Sequence, residues 1–309
     1  MSDVEIIQAV QSSDPTLFST PMGVLSIIAH YSRPNVFTFP KYGKVRAITT
    51  YHYTVEGSTT RSCNDRPLHN LYHIHSLIGV VGNNVYLKGF DILLGWMVYS
   101  FSVQTQTFKG LWSIEGADHP CLVSPEAIYE FGPGSRFCMY NLTTGSRTKL
   151  PTMVGGKHDP SYFLYKDTME ASHPRLCTAI YVFGGNGRRY STKKCWRFDI
   201  KENKWYDIAP MPLPARGIRV AVKDGCLYLT TAMGYFFMYN MEKDTWTTLK
   251  LDKTIAALPV EKLHYNEGRF TVATKVGNSM IIRESTAPEE PWKVVLTIEG
   301  DHHVHLTGV

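Results

Sequence analysis

The sequence predicts an all-β protein of six four-stranded antiparallel units closed into a ring. Three observations lead there. The 309 residues include 18 Tyr, 14 Phe, 24 Gly and 17 Pro, a mix that favours short strands joined by many turns. Anchors at Trp112, Leu150, Trp205, Trp246 and Trp292, separated by 38, 55, 41 and 46 residues, close successive runs of aromatic strand, second strand and polar turn. Such spacing marks a repeat whose loops vary in length. Finally, Ser113-Ile-Glu-Gly-Ala-Asp-His119 recurs almost unchanged as Thr297-Ile-Glu-Gly-Asp-His302, and each copy leads into a strand.

Residues 1–20 form a lead-in, and a single domain covers 21–309. The first unit, residues 21–55, reads GVLSIIAHYS, NVFTF and KVRAIT as second, third and fourth strands. Its first strand is expected from residues 302–309, HHVHLTGV, which would join the two ends of the chain and close the ring. Unit two (72–115) carries NVYLKGF and MVYSFS; unit three (119–151) carries AIYEFGPGS and FCMYNL, with Leu150 in place of a tryptophan. In unit four (158–212), AIYVFGG is followed by CWRFDI, the turn KENK, Trp205 and APMPLP. Unit five (216–250) carries CLYLTTAMG, YFFMYN, the turn MEKD and Trp246, and unit six (262–297) carries GRFTVATKVG, SMIIRES and Trp292.

The glycine-rich stretch AIYVFGGNGRRY at 179–190 invites a phosphate-loop reading, which its surroundings exclude. A phosphate cradle needs a helix whose N-terminal amides face the anion, whereas Trp196, Phe198 and Ile200 alternate with polar residues as in a strand. Net charge is +5 and spread along the chain, with no basic arm for nucleic acid. No 18-residue apolar run suggests a membrane span, and MSDVEIIQAV lacks the basic start of a signal peptide. The six cysteines, Cys63, Cys121, Cys138, Cys177, Cys195 and Cys226, form no C-x-x-C pair. They read as reduced thiols in the cytoplasm or nucleus, where the acceptor pattern Asn141-Leu-Thr143 would be incidental.

The recurring motif resembles the kelch repeat, an apolar strand ending in paired glycines, then a Tyr-Asp-like strand, a short turn and a tryptophan. Unit four carries it most fully, in Tyr181, Gly184, Gly185, Phe198, Asp199 and Trp205. Unit five keeps Tyr228, Tyr239, Asn240 and Trp246 but has Ala232-Met233 at the paired glycines; unit three keeps Tyr129, Gly132, Tyr140 and Asn141. The resemblance implies a six-bladed β-propeller, with Gly184 and Gly185 bending the chain beside the channel and Trp112, Trp205, Trp246 and Trp292 filling wedges between blades. It implies a non-enzymatic interaction module without a cofactor. It is most similar to the propellers that select substrates in BTB-kelch adaptors of cullin-3 ubiquitin ligases. Cullin-3 would be reached only through a BTB portion absent from this chain.

In a four-stranded meander, loops joining second to third strands and loops joining successive blades share one face. That face offers Tyr31, Arg33, Phe90, Asp91, Arg136, Arg188, Arg189, Tyr190 and Tyr235, and the inter-blade loops add His73, His158, Arg216, His264 and His302. Arginine and tyrosine are the residue types that carry protein interfaces, and the arginines favour an acidic segment as partner. The enzyme alternative is a kelch-fold oxidase, lyase or epimerase acting at the channel mouth, for example through Asp91 with His73. His73-Ile-His75 and His303-Val-His305 have ligand spacing on a strand, but strand histidines lining a channel are more simply held by backbone and water, so no metal is expected.

Overall fold

The computed structural model describes residues 24–30, 33–40, 47–54, 57–62, 71–82, 84–102, 105, 107–116, 119–132, 136–153, 160–166, 178–185, 191–256, 258–266, 268–299 and 302–307. In chain order the strands are β1 (Val24–His30), β2 (Arg33–Pro40), β3 (Ala47–Thr54), β4 (Gly57–Ser62), β5 (Leu71–Val81), β6 (Asn84–Asp91), β7 (Gly95–Ser102), β8 (Thr107–Ser113), β9 (Cys121–Val123), β10 (Ala127–Phe131), β11 (Phe137–Asn141), β12 (Arg147–Lys149) and β13 (Ser161–Tyr165). There follow β14 (Ala179–Phe183), β15 (Cys195–Asp199), β16 (Lys204–Ile208), β17 (Arg219–Lys223), β18 (Cys226–Thr230), β19 (Phe236–Asn240) and β20 (Thr245–Leu249). A one-turn helix α1 (Lys253–Ala256) precedes β21 (Val260–Asn266), β22 (Arg269–Val276), β23 (Ser279–Ser285), β24 (Lys293–Glu299) and β25 (His302–Thr307).

Five four-stranded sheets, β5–β8, β9–β12, β13–β16, β17–β20 and β21–β24, carry their strands in sequence order, each a meander like the blade of a β-propeller. The N-terminal sheet corrects the expectation of six like units. It has five strands in the order β25-β2-β1-β3-β4. The C-terminal strand pairs with β2, Phe37 opposite His305, rather than beside β1. With one edge of β2 taken by β25 and the other by β1, β3 uses the free edge of β1 and pairs with it in parallel, Val24 opposite Ala47 and Tyr53 opposite His30. The added strand β4, GSTTRS, has no hydrophobic alternation and continues the sheet from β3.

The chain divides into two units, Asp118–Leu263 with Pro288–Glu290, and Met1–Ala117 with His264–Ala287 and Pro291–Val309. In the first of these, three sheets pack side by side with their first strands β9, β13 and β17 as neighbours. The middle sheet explains why AIYVF is apolar at every position although it is a strand: both of its faces are covered. Ala179, Tyr181 and Phe183 join a cluster with Leu227, Leu229 and Tyr239 of the following sheet. Ile180, Val182, Trp196 and Phe198 join another with Tyr129, Phe137 and Leu150 of the preceding one. Each of the larger aliphatic and phenylalanine side chains contributes about 1.5–3 kcal/mol on burial.

The recurring tryptophans tie sheet to sheet by a hydrogen bond as well as by area. Trp205 Nε1 donates to the Pro151 carbonyl at 2.8 Å, and Trp246 Nε1 to the Ala209 carbonyl at 2.8 Å. Each acceptor follows the last strand of the preceding sheet. Asp244 completes the second tie, accepting from the Ala209 amide and the Tyr239 hydroxyl. Trp112 and Trp292, in the other unit, are buried.

Candidate functional site

In the unit Asp118–Leu263 the loops from second to third strands and the loops between sheets meet at one end of the strands, joined by backbone hydrogen bonds. In the loop after β14, Gly184 and Gly185 have φ of 60° and 92°. The Gly185 amide donates to the Ala215 carbonyl, and Lys193 and Thr192 carbonyls accept from Met211 and Ala215 amides. A Cβ on Gly184 would lie under 3.0 Å from the Ala215 carbonyl oxygen, so the paired-glycine bend is a close backbone approach. In the next sheet the Ala232 amide donates to the Arg216 carbonyl at 3.3 Å. The close approach is made there by Gly234, φ 78°, against the Ala256 carbonyl oxygen. Blade five thus builds the bend two residues beyond Ala232, where the sequence shows no glycine pair.

These linked loops place several cations at one end. Arg136, Lys193, Lys194, Arg216 and Lys253 are exposed there. Asp252 lies among them, its carboxyl held low by the Thr254 hydroxyl and amide, and its amide donates to the Pro288 carbonyl, next in sequence to the exposed Glu289 and Glu290. The loops at the other ends of the strands carry Glu126, Glu202, Asp224, Glu242 and Asp244 beside Lys166, Lys201 and Lys243. Among the cations stand three solvent-facing apolar side chains, Met233, 70% exposed, Tyr235, 38% exposed, and Leu213, 37% exposed. Tyr235 stacks on Phe237 with ring centroids 6.1 Å apart. Met233 was missed by sequence reasoning, since a methionine at a degenerate glycine position reads only as loss of the motif.

Several sequence-predicted contacts have structural employment instead. Asp91 is buried, and its carboxylate accepts from the Leu93 and Leu94 amides at 2.8 and 3.0 Å and from the Tyr99 hydroxyl at 3.0 Å. Burial alone would raise that carboxyl, but the three donors outweigh it and hold it below the usual range. Phe90 meets Trp96 edge-on at 5.2 Å. What this turn exposes is Ile92, Leu93 and Leu94, at 58, 75 and 64%, a signal legible only as three aliphatics where turn residues are expected.

His264 was expected in an inter-blade loop and lies inside β21. Burial pushes its pKa down to about 4, which makes it neutral at physiological pH. His73 likewise lies within β5, opposite Phe90. Arg33 and His302 begin β2 and β25. Tyr31, His158, Arg188, Arg189 and Tyr190 lie outside the described residues. The structure therefore brings Arg136, Arg216 and Tyr235 to the loop end of one unit, and places Asp91, Phe90 and His73 in another.

Among the described residues, no group of three or more His, Cys, Asp or Glu is placed to hold a metal ion. No helix among them is long and apolar enough to cross a membrane. The family model for the Kelch motif matches residues 171–212, the stretch that contains the paired glycines and Trp205. No curated protein matches the chain. The match and the recurring four-stranded sheets together support a kelch-repeat family.

Proposed function

We propose that this chain is a protein-interaction module, without catalytic activity of its own, whose loop end in the unit Asp118–Leu263 captures an acidic segment of a partner protein. The observation that carries the reading is the set of exposed Lys193, Lys194 and Arg216 on loops fixed to one another through the backbone, with Arg136 exposed in the corresponding loop of the preceding sheet. Arginines held on a rigid scaffold lose less freedom on binding and pair well with carboxylates. Arg188 and Arg189 stand between Gly185 and Lys193 in the sequence.

The test is binding of a glutamate- and aspartate-rich peptide, read by fluorescence anisotropy at several salt concentrations. The wild-type chain should bind more weakly as salt rises. Arg216→Ala should lower affinity with the melting temperature unchanged, because the side chain is exposed. An affinity untouched by Arg216→Ala and by Lys193→Ala/Lys194→Ala together would overturn the proposal.

The finer form of the reading is substrate selection for a cullin-3 ubiquitin ligase through a BTB portion, supported by the kelch match at residues 171–212. Co-purification of cullin-3 with the chain fused to a BTB portion, and ubiquitination of an acidic-tagged substrate lost with Arg216→Ala, would test it.

A further inference from the structure

The loop end carries more than charge, and the arrangement of its side chains narrows what it reads. Resting on the binding reading above, we infer that the site recognises a short acidic segment that also carries an apolar residue, with Met233 as the apolar anchor.

The loop Thr231–Tyr235 is braced from two directions. On one side its Ala232 amide donates to the Arg216 carbonyl, and a Cβ on Gly217 would come within 3.1 Å of the Ala232 Cβ. On the other side Gly234 packs against the Ala256 carbonyl of α1, whose first residue is the exposed Lys253. Inside the loop, the Thr231 amide donates to the Tyr235 carbonyl at 3.0 Å, the Gly234 amide to the Thr231 carbonyl at 2.9 Å, and the Tyr235 amide to Thr231 Oγ1 at 3.1 Å. A five-residue loop closed this way is preorganised.

The order across the surface is therefore cation, apolar pair, cation: Arg216, then Met233 with Tyr235, then Lys253. Asp252 keeps its charge, since Thr254 donates to its carboxylate without neutralising it, and it offsets the neighbouring Lys253. Arg216 is therefore the principal cation beside the apolar pair, and the complementary ligand sets a carboxylate next to an apolar residue. A methionine suits the anchor role, since its unbranched, polarizable side chain adapts to different aliphatic partners.

The experiment uses the full chain and two labelled peptides, Gly-Glu-Asp-Leu-Asp-Glu-Gly and the same sequence with Ser for Leu. The leucine peptide should bind about tenfold more tightly, the gain expected from covering one aliphatic side chain. Met233→Ala should bring that ratio close to one while leaving the serine peptide's affinity unchanged. Arg216→Ala should weaken both peptides by the same factor. Met233 is solvent-facing, so the variant should keep the wild-type melting temperature. Equal binding of both peptides to the wild-type chain would overturn this inference and leave the acidic-segment reading standing. Failure of both peptides to bind would overturn both. A leucine preference that survives Met233→Ala would place the apolar pocket elsewhere and overturn the anchor assignment.

Discussion

Substituting alanine for glycines in the loops and turns of the unit Asp118–Leu263 separates the two costs that a bend glycine avoids. Gly145, Gly184 and Gly234 all have positive φ, 68°, 60° and 78°, so alanine at any of them incurs a left-handed penalty of roughly 1–2 kcal/mol. They differ in what a new Cβ meets. At Gly145 it meets nothing within 4 Å; at Gly184 and Gly234 it falls under 3.0 Å from a backbone oxygen. Relieving that contact to an ordinary C···O separation of about 3.3–3.6 Å moves a carbonyl in a packed loop, at roughly 1–3 kcal/mol. At Gly184 the movement also strains the Gly185 to Ala215 hydrogen bond, worth about 1 kcal/mol. Gly184→Ala should therefore cost roughly 3–6 kcal/mol and Gly145→Ala roughly 1–2 kcal/mol. Urea denaturation with an unchanged slope measures the difference. Equal destabilisation at the three positions, within about 0.5 kcal/mol, would refute the close-approach account and leave only the backbone penalty.

Trp205→Phe, which keeps a ring in the wedge and removes the donation to Pro151, should cost about 0.5–1.5 kcal/mol, and Trp205→Ala about 3–5 kcal/mol, read by the same titration. Trp246→Phe should match Trp205→Phe, since the two ties are alike in geometry. His264 has its pKa depressed to about 4 from its ordinary 6.5, so the unfolded chain takes up this proton first as pH falls. Stability is then full above about pH 6.5 and is lost as pH drops toward 4; His264→Leu should flatten the melting temperature across that window. The Asp91 carboxyl is also depressed, so its contribution is present above about pH 4 and lost on further acidification. Asp91→Asn should lower the melting temperature at pH 7 and narrow the gap to wild type in acid.

The recurring part of this fold was legible because burial on both faces imposes a pattern. β14 is aromatic or aliphatic at every position, and the anchor tryptophans return at workable intervals, so five sheets could be outlined from anchors alone. The N-terminal sheet was not legible, for a physical reason. Its strand order is decided by which edge of β2 the distant β25 occupies, and a sequence window over residues 24–54 contains no trace of that competition. β4 adds a strand of Gly, Ser, Thr and Arg that pairs through its backbone, where composition carries little signal.

The candidate site was legible in kind and less so in membership. Seeking non-recurring residues on the loop side selected Arg136, Arg216 and Tyr235, which are solvent-facing, but also Asp91 and His264, which are not. Being absent from the repeat shows only that a residue is not part of the common scaffold. It does not show that it faces a partner. Asp91 ends β6, and a carboxylate at that position satisfies the amides of the turn it opens, so its type follows from local backbone demand. His264 falls mid-strand because β21 extends to Asn266, two residues past it. Met233 is the converse case. Gly234 makes the close approach in that loop, which relieves the preceding residues of the need to be glycine and leaves Met233 free of a scaffold role. The bend and the binding side chains are therefore linked: where the repeat moves its glycine by a residue or two, it releases a neighbouring position to carry a side chain into solvent, and those released positions are the ones a partner can read.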